Sequence, residues 1–132
     1  MMEEIIAIRY YKIRVLANRI IDRLHEEAVN LGFSDKDIDL KRPVEASYRL
    51  ERDPSSSEYN LIGDWQDVRG AKLGQLQFFA DGSFVVEQDI LCPHPTCQGR
   101  FVKALKAWGS EGRIEVEARL FTDTQGQSET AA

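Results

Sequence analysis

From Glu3 to Leu31 the chain carries neither proline nor glycine, and Ile6, Tyr10, Ile13, Ala17, Ile20, Leu24, Ala28 and Leu31 recur at steps of three and four. That is the spacing of one helix face. Ile5, Ile8, Val15, Leu16 and Ile21 widen the apolar stripe beyond what one partner helix covers, so the helix calls for a sheet. Glu3 and Glu4 suit the positive end of its dipole, and Gly32 supplies a stop.

A different period follows. Gly32 to Pro43 reads as a connector with Phe33, Ile38 and Leu40 as anchors and one turn after Ser34. Beyond it Val44, Ala46, Tyr48 and Leu50 alternate with polar residues, which predicts a strand with one wet face. Turn chemistry at Asp53–Ser57 leads to a second strand over Tyr59–Trp65 and a second turn at Asp67–Gly70. Ala71–Phe79 and Ser83–Leu91 flank Ala80-Asp81-Gly82. A three-residue loop with Gly82 left-handed pairs Phe78 with Phe84 and Leu76 with Val86 on one face. A two-residue loop would set Leu76 beside Glu87, so the former is preferred. Gln75, Gln77, Glu87 and Asp89 then share the other face with Val85.

Pro93 and Pro95 are expected to end that strand, and Thr96 to cap a second helix through Trp108 with Phe101, Val102, Leu105 and Trp108 inward and Gly109 as stop. Arg113–Phe121 alternates as a fifth strand, and residues 122–132 read as a flexible C-terminal tail. The expected architecture is a single α+β domain over residues 1–121: a long N-terminal helix, a four-stranded antiparallel meander, a second helix and a fifth strand, both helices on one face of the sheet. This element order resembles the cystatin-like arrangement, in which a meander curls around a long helix. The resemblance implies a layout and no function.

Composition narrows the function classes. The 132 residues suit one core, and 42% hydrophobic with 30% charged residues is ordinary for a globular domain. A net charge of −5 makes nucleic acid and anionic membrane surfaces poor partners. The opening Met1-Met2-Glu3-Glu4 and the charge at Arg9 do not form a secretory signal, so a cytoplasmic location with reduced thiols is expected.

The densest chemistry is Cys92-Pro93-His94-Pro95-Thr96-Cys97. Cys92, His94 and Cys97 offer three soft ligands for zinc, with His25 or Asp89 as a fourth, although strong zinc motifs bring two Cys/His pairs. Alternatively, Cys97 in the first turn of the second helix would be a thiolate nucleophile with His94 as base. Against both stands an ordinary corner whose cysteines pack as small apolar groups. Asp64, Trp65, Asp67 and Arg69 crowd one turn, a pattern shared by ligand rims and plain polar turns.

The first helix carries Arg9, Lys12, Arg14, Arg19 and Arg23 with no acidic residue from Ile5 to Ile21, a flank suited to an acidic partner or simply to solvent. No phosphate loop, zinc-protease helix, serine elbow or nucleotide fingerprint is present, so neither an enzyme nor a cofactor is the first expectation. The leading reading is a protein-interaction or scaffold domain that self-associates, as a homodimer or with another protein. The alternatives are a small-molecule or enzymatic pocket between the first helix and the sheet, and the metal or thiol site at Cys92, His94 and Cys97.

Overall fold

The computed structural model describes residues 2–122. Helix α1 spans Met2–Leu31, and six strands follow: β1 Ser47–Arg52, β2 Tyr59–Gln66, β3 Lys72–Phe78, β4 Phe84–Pro93, β5 Arg100–Ser110 and β6 Arg113–Thr122. They form one antiparallel sheet in the order β1-β2-β3-β4-β5-β6. The expectation of α+β with a meander and a helix on one face therefore holds, while the second helix is replaced by a strand. Strand β6 reaches Thr122, the first residue of the expected tail, and residues 123–132 lie outside the described residues.

Helix α1 ends through a pair of bonds that relieve its last carbonyls. Gly32 at φ 112° donates to Val29 O and Phe33 donates to Ala28 O, the paired closure that a left-handed residue after a helix permits. Phe33 then turns inward beside Ala28, both being buried. Ile38 joins the core, and the connector is pinned by buried Gln88, whose amide donates to Lys41 O and accepts from Lys41 N. A buried amide satisfied on both ends avoids the penalty of an unpaired polar group.

The first strand begins later than its alternation suggests. Pro43–Glu45 form a single 3-10 turn, held by Arg42 N donating to Glu45 Oε1 at 2.6 Å and by Tyr48 Oη donating to Pro43 O at 2.7 Å. Proline suits the first position of such a turn because the N–H it lacks has no partner there. Tyr48 also lies across Gly63, where any Cβ would strike its ring. Trp65, almost fully buried, donates Nε1 to Arg42 O at 2.9 Å.

The β3–β4 hairpin adopts the expected register, with Leu76 opposite Val86 and Phe78 opposite Phe84. Phe79 N donates to Ser83 O, Gly82 N donates to Phe79 O, and Gly82 sits at φ 94°. Gln75, Gln77, Val85 and Glu87 consequently share the face away from α1.

Where a helix was expected over Thr96–Trp108, the chain forms β5, paired along its length with β4 and β6. The cause is a bulge. Val102 faces Leu120 and Ala104 faces Arg119, so Lys103 is an extra residue and the inward positions run Val102, Leu105, Ala107. One inserted residue turns a step of two into a step of three, which imitates helical spacing. Strand β4 answers with its own irregularity between Asp89 and Cys92, where exposed Leu91 takes φ 55°. Gly109, expected to stop a helix, pairs with Ile114 in the β5–β6 hairpin, and a Cβ there would strike Arg113 O.

The core lies between α1 and the sheet. Ala17, Ile20, Ile21, Leu24 and Ala28 pack with Leu61, Trp65, Leu76, Phe84, Val86 and Leu105, and fill that space with side chains. Helix α1 crosses the sheet diagonally. Tyr10 meets Tyr48 of β1 with ring centres 5.0 Å apart and Arg9 donates to Tyr59 O, while Arg23 donates to Ile114 O of β6.

Candidate functional site

The corner from Cys92 to Cys97 runs from the end of β4, which holds Cys92 and Pro93, into the loop of the β4–β5 hairpin, closed by His94 N donating to Arg100 O and Arg100 N donating to Cys97 O. His94 Nδ1 accepts from both Thr96 N and Cys97 N, each at 3.1 Å. Nδ1 is thus the acceptor that ties the two amides of the turn to the ring. Thr96 Oγ1 donates to Leu31 O at 3.3 Å, and Thr96 and Pro95 crowd Gly32. The loop thus covers the C-terminal end of α1 and satisfies one of its open carbonyls.

The three soft side chains do not converge. Cys92, half-buried in β4, donates to Ile90 O at 3.4 Å, whereas Cys97 is exposed on the loop. His25 is engaged by Asp35 at 3.0 Å on the connector, and Asp89 pairs across to Ala104 in the sheet. Among the described residues no three His, Cys, Asp or Glu side chains are arranged to hold a metal ion. With β5 in place of the second helix, the helix dipole invoked to activate Cys97 is also absent.

The turn at Asp64–Arg69 is likewise accounted for by structure. Asp67 Oδ1 accepts from Arg69 N and Ala71 N, and Trp65 belongs to the core. Asp64 points to the face away from α1, where it pairs with Arg49 and accepts from Gln75 Nε2 at 2.8 Å. Burial raises its carboxyl, but those bonds outweigh it and hold Asp64 below the ordinary range. Asp89, nearby, is pushed up by burial and by Glu87. The depression on this face, lined by Lys72, Gln75, Gln77, Val85 and Glu87, is about 180 Å³, below the roughly 300 Å³ at which small-molecule pockets begin.

The basic flank of α1 divides in two. Arg9 is held by Tyr59 O, Arg14 stacks 4.1 Å over the Tyr11 ring, and Arg23 binds Ile114 O and Glu26. Lys12 and Arg19 are exposed and form no ion pair among the described residues. Arg19 borders an open groove of about 500 Å³ where α1 meets the β5–β6 turn, which Asp22 and Glu26 also line.

The most unusual surface lies between these cations. Ile8, Tyr11 and Val15 are 56%, 65% and 61% exposed, with Ile5 beside them at 45%. Their steps of three and four set them along the side of α1 opposite Ala17, Ile20 and Leu24. The excess width of the stripe included Ile5, Ile8 and Val15 but not Tyr11, and a sheet was expected to cover it; the sheet buries Ile21 and leaves Ile5, Ile8 and Val15 in water, because they lie on the far side of α1. No helix among the described residues is long and apolar enough to cross a membrane. No protein-family model, curated protein or solved structure matches this chain.

Proposed function

We propose that this chain is a cytoplasmic protein-interaction domain that self-associates, with the solvent-facing side of α1 as its docking surface. The row of Ile8, Tyr11 and Val15 carries this reading. Scattered exposed apolar residues are normal, but a row at helical spacing on the outside of an amphipathic helix is the pattern by which helices dock. The uncovered cations Lys12 and Arg19 flank it, as polar rims flank interface centres. The core side chains packed beneath α1, the small depression on the far face and the open, charged lining of the groove at the β5–β6 turn give a ligand pocket less support.

Sedimentation equilibrium tests the reading. The average mass is expected to rise with concentration toward that of a dimer. A mass that stays at the monomer value up to about 1 mM, where even an association of about 4 kcal/mol is visible, overturns it.

A further inference from the structure

Glu4, Ile8, Tyr11, Val15 and Arg19 form one row along the solvent side of α1, and all five are exposed. Their steps of four, three, four and four follow the seam of a helix pair. The row reads acid, apolar, aromatic, apolar, base, and its outer four residues, Glu4 with Arg19 and Ile8 with Val15, are placed symmetrically about the Tyr11–Lys12 peptide. Turned end for end, it complements itself. A second α1 laid antiparallel sets Ile8 against Val15 of the second copy, Tyr11 against Lys12, and Glu4 against Arg19, each contact occurring twice. A parallel pair would set Glu4 on Glu4 and Arg19 on Arg19.

The surrounding charges point the same way. Glu3 and Glu4 open the helix, and every charged residue from there to Asp22 is basic: Arg9, held by Tyr59 O, then Lys12, Arg14 and Arg19. Neither Glu4 nor Arg19 forms an ion pair among the described residues, so both are free to be met by a second copy. We infer that the occupant of this face is α1 of a second copy of the chain, antiparallel and two-fold related near Tyr11–Lys12. Such an isologous contact closes on itself and stops at the dimer. A single helix-to-helix seam of about four turns makes a small interface, and small interfaces associate reversibly.

The inference rests on the self-association proposed above, and charge reversal separates the two. Glu4→Arg and Arg19→Glu each place two like-charged contacts in an antiparallel dimer, and each should weaken the dimerisation constant about tenfold. The same substitutions leave the balance of a parallel pair unchanged in kind. Both changes in one chain should return the constant to within about threefold of the original, and an equimolar mixture of the two single variants should form heterodimers more tightly than either associates alone. Circular dichroism checks that helicity is kept. If the original chain dimerises and neither reversal moves its constant, self-association stands and the antiparallel row is wrong. It is also wrong if the single variants weaken and neither the double variant nor the mixture recovers. An original chain that remains monomeric overturns both readings, and leaves the face to a different protein.

Discussion

The first half of α1, Met2–Leu16, is the richer in apolar residues, yet it is the second half, from Ala17 on, that buries them. From Ala17 to Ala28 the helix supplies Ala17, Ile20, Ile21, Leu24 and Ala28 to the core, all almost completely buried. From Met2 to Leu16 no residue is fully buried, and Met2, Ile5, Ile8, Tyr11 and Val15 stand exposed. The second half reaches over the centre of the sheet, whereas the first meets the core only through half-buried Ile6, Tyr10, Ile13 and Leu16, with Tyr10 against Tyr48 of β1. Helical spacing alone therefore does not say what a stripe is for. Apolar side chains that face the sheet hold the fold together, and those on the opposite side of the helix remain available to a partner.

Substitutions in each half should separate these roles. The largest effect belongs to the covered half: Leu24→Ala should cost about 2–5 kcal/mol of stability in denaturant unfolding, because it opens a cavity in a filled core. A loss under about 1 kcal/mol would mean that this half is not the anchor. In the uncovered half, Ile8→Glu should leave the unfolding free energy within about 0.5 kcal/mol, yet weaken dimerisation about thirtyfold, equivalent to about 2 kcal/mol. A comparable loss of stability would make Ile8 a structural residue and erase the contrast between the halves.

A smaller effect probes the sheet under the covered half. Asp64 is held below the ordinary carboxylate range when folded, so its contribution is fully present above the unfolded value and disappears as pH falls through the folded one. Asp64→Asn should accordingly destabilise by about 1 kcal/mol at neutral pH, with the difference shrinking below about pH 4. Asp89 has the opposite sign: its raised carboxyl favours the proton when folded, so ionising it costs stability as pH rises through that window. Asp89→Asn should be stabilising at neutral pH and neutral in acid. Urea titrations at several pH values read both, and matching pH profiles for the two variants would contradict the assignment.

Particular residues show what could be read in advance. The β3–β4 register was legible because only the three-residue loop sets Leu76 on Val86, and period-two alternation leaves no intermediate option. The end of α1 was legible because Gly32 is the one residue there suited to a positive φ. Strand β5 was not, since the extra residue Lys103 shifts the phase and places Phe101 and Trp108 on the face opposite Val102 and Leu105. A bulge has no residue signature of its own and is defined by the strands beside it.

The corner at Cys92–Cys97 shows the same limit for chemistry. Two thiols and an imidazole within six residues look like a ligand set, but their hydrogen bonds run to Ile90 O, Thr96 N and Cys97 N. The loop's contact with Leu31 depends on a residue 65 positions away from Thr96.

By itself, then, the sequence determined the local features: the long helix and its stop, the first three hairpin turns, the alternation of four strands, and an apolar stripe wider than one helix partner covers. Each depends on neighbours a few residues apart, which is the range over which side-chain period and turn chemistry act. Tertiary structure alone decided that the last helical pattern is a strand, that the cysteine corner caps α1, and that Ile8, Tyr11 and Val15 stay in water. Those outcomes depend on which surfaces meet across the sheet, a competition for burial and hydrogen bonds that no short stretch of chain records.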